Sequence, residues 1–351
     1  DKRIQKIEQA IIDETGEPDP SFALGVEKNA ASNLQILISN IGVLNDWPAA
    51  YTPNIGPGDA FMLVQLKGKA GEPGAFDYVE LLRQKLNRQF PDVEFAFDTG
   101  GMLTSALNMG EPSPIHFQVS GAKLEEMREI AEHVEDAAKA VPGTVDVRIA
   151  QRLDYPTMTI TMNRDKAARM GLTPEGVMQN LVSATNSSVG FDPAFWVDKS
   201  KGNHYFIGVQ YPEELLTNME TIRNIPIGMV DGVPIRLRNV ADIAKAEGPG
   251  VVNHRNITRV MDIYANVERG YDAGSIMTAI EANLLAEENP LGATLDTDDR
   301  GEVYRLANYP GTALRSQGEV KEMRKSFSQF TAGFVIAAML ATAGISIAKF
   351  V

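Results

Sequence analysis

The residue types best suited to chemistry in this 351-residue chain are four histidines, several acidic clusters and a small set of aromatic side chains. His116, His133, His204 and His254 are far apart, and none has a second ligand at metal-binding spacing. Each reads as a surface or strand-pairing residue. Serines and threonines are plentiful, yet no nucleophile-elbow pattern and no phosphate-cradling glycine loop accompanies them. The absence of cysteine removes thiolate zinc sites, thiol nucleophiles and disulfides together. Glu125-Glu126 falls on the wet face of an expected helix, and Glu213-Glu214 in a first turn where acid suits the helix dipole. Asp296, Asp298 and Asp299 sit in an irregular insert, Leu291 to Gly311, where a solvated acidic turn is favoured over a weak cation site. No enzyme chemistry and no cofactor is expected.

Two aromatic groups remain. Phe95 and Phe97 share one face of an expected strand, Val93 to Phe97, and a pair of that kind ordinarily faces a core. Asp98, Gly100, Gly101 and Met102 follow in a flexible stretch. Phe191, Phe195 and Trp196 lie in a loop rich in small polar residues, where apolar bulk seldom stands without a partner surface.

The elements that must position these side chains follow a repeated plan of short strand, four-turn helix and second strand. One copy runs from strand Phe61 to Leu66, through helix Tyr78 to Gln89, to Val93–Phe97. A second joins strand Ile115 to Val119, helix Leu124 to Ala140, the Pro142-Gly143 break and strand Val145 to Ile149. A third begins at Arg259 to Val267, continues through helix Gly274 to Glu287, and closes at about Leu314 to Gln317. Paired units of this kind make the split βαβ plan of ferredoxin-like domains, so the second and third copies belong together. The first copy is left with helix Lys2 to Glu14 and strand Leu34 to Ser39, a partner lacking its first strand, which implies polypeptide upstream of Asp1.

The stretch between, about Asp154 to Val251, is expected to be an α/β insertion. Its strand Met158 to Met162 leads through Asn163 into a helix, and Thr173-Pro174 caps the next one. Asp231-Gly232 marks a hairpin, Val240 to Ile243 starts a short helix, and Gly248-Pro249-Gly250 is a linker.

Acidic residues outnumber basic ones by 46 to 33, for a net charge of −13, and no basic stripe is present to track phosphates, so nucleic acid is not an expected partner. The amphipathic start has no signal-peptide core. From Phe330 to Ala348 there is no charged residue, a length of roughly 28 Å as a helix, which reads as the start of a membrane span.

Several ordered stretches resemble the periplasmic loop in the C-terminal half of a resistance-nodulation-division (RND) efflux permease of the hydrophobe/amphiphile class. They are Val93 to Asp98 (VEFAFD) followed by Pro114 to Val119 (PIHFQV), Met158 to Leu172 (MTITMNRDKAARMGL), Pro234 to Leu237 with Val240 to Ile243, and Gly318 to Val320 with Met323 to Phe327. The resemblance implies an α+β protein with two ferredoxin-like porter subdomains and an inserted α/β docking subdomain, ending in the start of a transmembrane helix. The implied boundaries are 1–112 for the first porter subdomain, 113–153 with 252–318 for the second, 154–251 for docking, and 319–351 for a linker and the membrane helix.

It further implies a proton-driven homotrimer in the bacterial inner membrane, mostly periplasmic, that captures amphiphilic or hydrophobic compounds. Partners would be a periplasmic adaptor (membrane fusion) protein, an outer-membrane channel, amphiphilic small molecules and membrane lipid. Matching substrate-contact positions are Phe95, Phe97, Asp98 and Met102, with Arg148 on the facing strand. The family's proton-relay residues lie in membrane helices outside this chain, the 291–311 segment is longer than the usual turn, and the Ala/Gly-rich tail is less aliphatic. The competing reading is a membrane-anchored periplasmic scaffold or adaptor-like protein without transport activity.

Overall fold

The computed structural model describes residues 2–21, 25, 28–42, 54, 56, 58–68, 70–99, 112–152, 154–298 and 301–348. The chain divides into two units, one of Asp1–Leu153 with Pro249–Val351 and one of Asp154–Gly248. Both mix helices with antiparallel sheets, an α+β architecture.

The first unit opens with α1 (Lys2–Thr15), the antiparallel pair β1 (Leu34–Ile41) and β2 (Ala60–Leu66), and α2 (Ala75–Gln89). Ile7 and Ile11 on α1 meet Leu82 and Leu86 on α2, since residues four apart share one face of a helix. The chain then forms β3 (Ile115–Ser120), α3 (Leu124–Lys139) and β4 (Thr144–Ile149). Gly143, at φ +86°, makes the left-handed turn before β4, and a Cβ there would run into the Tyr271 ring.

The second unit contains β5 (Tyr155–Met162), α4 (Arg164–Arg169), α5 (Pro174–Asn186), β6 (Ala194–Val197), β7 (His204–Ile207), α6 (Met219–Arg223), β8 (Pro226–Val230), β9 (Val233–Arg236) and β10 (Ala241–Gly248). Side chains of Asn163 and Thr173 accept from backbone N–H groups to cap α4 and α5, and Pro174 opens α5 as expected. Asp231 and Gly232, both at positive φ, turn β8 into β9. Val177, Leu181, Ile225, Ile227, Leu237 and Val240 fill its core.

Back in the first unit come β11 (Asn253–Arg255), β12 (Thr258–Val267), α7 (Ala273–Leu285), β13 (Ala293–Asp298), β14 (Gly301–Leu306), β15 (Ala313–Gln317) and α8 (Gly318–Ala348). Strand β12 pairs with β3 and β4, and β3 pairs with β15, all antiparallel, giving the order β4-β12-β3-β15 of a ferredoxin-like sheet with α3 and α7 as its crossovers. Met127, Ile130 and Val134 on α3 and Ile276, Ile280 and Leu284 on α7 pack on Ile115, Phe117, Val119, Met261 and Ile263. Burial of each such side chain contributes about 1.5–3 kcal/mol.

Five expectations need correction. Residues 291–311 are no irregular insert: β13 and β14 form a hairpin that extends the sheet beyond β15. Within it Asp296 pairs with Arg305 and Asp298 with Arg315, so ion pairs occupy these carboxylates; Asp299 lies outside the described residues. Val93–Phe97 forms no strand, for reasons that lie in the site described below. Residues 241–243 begin β10, which pairs along its length with β5, because the ladder outweighs a weak local helix signal. Phe195 and Trp196 stand on β6, opposite Phe206 and Tyr205 of β7, rather than in a loop. Finally, α8 runs unbroken through 330–348, but no helix among the described residues is long and apolar enough to cross a membrane.

Candidate functional site

Strand alternation gives the ferredoxin-like sheet two unlike faces. Ile115, Phe117 and Val119 of β3 point to α3 and α7, while His116 and Gln118 point the other way. Register sets Asp262 opposite Gln118 and Tyr264 opposite His116, and on the far side of β12 it sets Arg148 opposite Tyr264. Directly opposed residues share a face, so polar side chains from three strands converge there.

Asp262 is one centre of that face. Its carboxylate lies 2.9 Å from His116 Nε2 and accepts from Gln118 Nε2 at 2.7 Å and Gln151 Nε2 at 2.9 Å, while its own N–H donates to Gln151 Oε1 at 2.8 Å. Burial alone would raise its pKa, but the bonds from His116, Gln118 and Gln151 outweigh this and hold the carboxyl below its usual range. The His116 ring lies 4.6 Å from that of Tyr264, and the Arg148 guanidinium sits over the Tyr264 ring, 5.5 Å from its centre. Burial lowers the Arg148 pKa, and the nearby carboxylates of Asp146, Asp98 and Glu94 oppose that shift; arginine stays charged regardless.

Asp146 is the second centre. The register of β4 against β12 slips between Tyr264 and Asn266, and Asp146 takes a left-handed φ of +51° at that bulge. A bulge bends the strand and re-aims a side chain out of the regular alternation. The Asp146 carboxylate accepts from Arg83 Nε at 2.8 Å and Nη2 at 2.7 Å, from the Phe97 N–H at 3.2 Å and from Asn266 Nδ2 at 3.0 Å. Asn266 Nδ2 also donates to the Phe97 carbonyl at 2.6 Å. Both backbone groups of Phe97 are thus bonded to side chains rather than to a neighbouring strand.

The residues singled out from sequence take distinct places. Phe95 and Phe97 are half-buried, stacked with ring centres 6.4 Å apart, and packed against the α1/α2 core; the Arg83 guanidinium lies 5.3 Å from the centre of the Phe97 ring. Asp98 is exposed. Arg148 donates to the Asp146 carbonyl at 3.3 Å, so Asp146 touches both Arg148 and Phe97. Met102 lies outside the described residues. Sequence reasoning missed Asp146, Asp262, Asn266 and Arg83. Its one available signal was polar residues at period two in apolar strands: His116 and Gln118, Asp146 and Arg148, and Asp262, Tyr264 and Asn266.

No nucleophile is paired with a base at this face, and no group of three His, Cys, Asp or Glu side chains among the described residues is placed to hold a metal ion.

Comparison with known proteins gives the chain its family. Residues 48–308 match the sequence pattern of the AcrB/AcrD/AcrF family. The chain belongs to that family. The AcrB/AcrD/AcrF proteins are RND permeases, and the chain corresponds to a periplasmic portion. It is similar to the cation efflux system protein CusA of Escherichia coli, 28% identical over 206 residues, covering 58% of this chain and 19% of CusA. It is also similar to the cobalt-zinc-cadmium resistance protein CzcA of Cupriavidus metallidurans, 28% identical over 183 residues, 51% of this chain and 17% of CzcA. Among solved structures, the crystal structure of a heavy metal efflux pump shares the fold, with a TM-score of 0.67 and 20% identity over 88% of this chain and 30% of that one. The chain therefore spans about a fifth of the length of the curated relatives it matches. CusA and the crystallised pump are efflux proteins, which favours transport over the scaffold reading.

Proposed function

We propose that the chain is the periplasmic substrate-capture and docking part of a proton-driven RND efflux transporter of the inner membrane, exporting amphiphilic or hydrophobic compounds without chemical conversion. Residues 1–112 serve as the first porter subdomain and 113–153 with 252–318 as the second; 154–251 form the docking subdomain, and 319–351 a connecting segment. The assembly is a homotrimer that works with a periplasmic adaptor protein and an outer-membrane channel and meets substrates dissolved in water or in lipid. Phe95, Phe97, Asp98, Met102 and Arg148 make the substrate contacts.

The observation that carries the substrate class is the stacked Phe95/Phe97 pair with the Arg83 guanidinium over the Phe97 ring. Ring faces beside a charge already paired within the protein accept many apolar shapes, as promiscuous sites do. A second reading, export of heavy-metal cations, is favoured by the similarity to CusA, a cation efflux system protein, to CzcA, a cobalt-zinc-cadmium resistance protein, and to the crystallised heavy metal efflux pump.

The test is export by a permease carrying this segment, with amphiphilic dyes and detergents in one arm and copper, zinc and cobalt salts in the other. Phe95→Ala with Phe97→Ala should change which amphiphiles are exported. An unchanged amphiphile profile at normal protein level overturns the site, and loss of metal export alone selects the second reading.

A further inference from the structure

The 94–99 segment carries Phe95, Phe97 and Asp98, yet it belongs to no strand or helix. A stretch with no ladder would be expected to move, and aromatic rings on it would have no fixed position. Beside the packing of its rings, what holds its backbone is a carboxylate and an amide side chain, Asp146 and Asn266. Asp146 accepts from Arg83 on α2, from the Phe97 N–H, and from Asn266 on β12, so three separate pieces of chain meet on its two oxygens. Its side chain is only 3% exposed. In such a setting an ionised acceptor makes shorter and stronger bonds than a neutral one.

The backbone is arranged for this contact. Without the bulge, Asp146 would continue the regular alternation of β4 and its carboxylate would not face the Phe97 amide. Asn266, at the partner side of the same slip, closes the grip from the other direction through the Phe97 carbonyl. Arg148 donates to the Asp146 carbonyl, so the same residue also holds the guanidinium that lies over the Tyr264 ring.

We propose that Asp146, with Asn266, is a positioning residue: it clamps residues 94–99 to the edge of the ferredoxin-like sheet and thereby sets where Phe95 and Phe97 stand relative to Arg148. The consequence for substrate choice rests on the site reading above, whereas the clamp does not. Substrate selection by this face is then governed partly by a carboxylate that need not touch substrate.

Amide hydrogen exchange on the 351-residue chain tests the clamp, with the Phe97 amide as probe and the Val119 amide, in the core of β3, as reference. Asp146→Asn, which tolerates the left-handed φ, and Asn266→Ala should each speed Phe97 exchange about tenfold while Val119 is unchanged. Unchanged Phe97 exchange in both variants overturns the proposal. If Asp146→Asn also exposes Val119, Asn266→Ala, which keeps the Arg83–Asp146 pair, decides alone. In a permease carrying this segment, the same variants should shift the half-saturating concentration for amphiphiles while the maximal rate per molecule stays constant, a split that simple loss of folded protein does not produce. Faster Phe97 exchange with an unchanged half-saturating concentration supports the clamp and overturns the substrate-site reading.

Discussion

Asp146 and Asp262 stand on neighbouring strands of one sheet, and each gathers several donors around a mostly buried carboxylate. Their donors come from different places. Asp262 is held by His116 and Gln118 of the adjoining strand and by Gln151 just past β4, all within the ferredoxin-like sheet and its margin. Asp146 is held by Asn266 of β12 but also by Arg83 of α2 and by the backbone of Phe97, groups that belong to a different stretch of the chain. The first is a brace inside one module and the second a coupling between two. One residue type, with similar bonding, therefore serves stability in one place and the placement of a neighbouring segment in the other.

The comparison breaks if Asp262 can be removed cheaply. Asp262→Ala strands His116, Gln118 and Gln151 donors in a buried space and is expected to cost about 3 kcal/mol, read as a lowered urea midpoint. The acid limb sharpens the same point. The folded pKa of Asp262 is depressed, so its contribution is present above the unfolded carboxylate value and is lost as pH falls below about 4 and through the folded value. Asp262→Asn should therefore lose less stability between neutral pH and pH 3 than the native chain does, measured by denaturant unfolding at each pH. Equal acid slopes would remove Asp262 from the role of brace. The smallest effect belongs to Asp146→Asn, about 1 kcal/mol or less in global unfolding, because the partially exposed Arg83 regains water. A loss matching that of Asp262→Ala would make the two carboxylates equivalent and dissolve the distinction.

Much of the architecture was legible locally. The helix faces of α1, α2, α3 and α7, the Thr173-Pro174 start and the Asp231-Gly232 turn all follow from spacing of three or four, from caps and from backbone permissiveness, each a property of a few adjacent residues. Misreadings fell where partners distant in sequence decide. Residues 241–243 are strand because β5 lies beside them, and 291–311 are a hairpin because the β15 edge accepts β14. Phe95 and Phe97 were recognised as a same-face pair, but the strand expected to carry them does not exist.

Sequence by itself determined the α+β class, the strand-helix-strand repeat, the exclusion of cysteine chemistry and the efflux-permease resemblance, since composition and short periods are written in consecutive residues. Tertiary structure alone decided that Asp146 reaches Phe97 and that Asp262 gathers His116, Gln118 and Gln151. Those contacts depend on strand register and on one bulge, where a shift of a single residue sends a side chain to the opposite face.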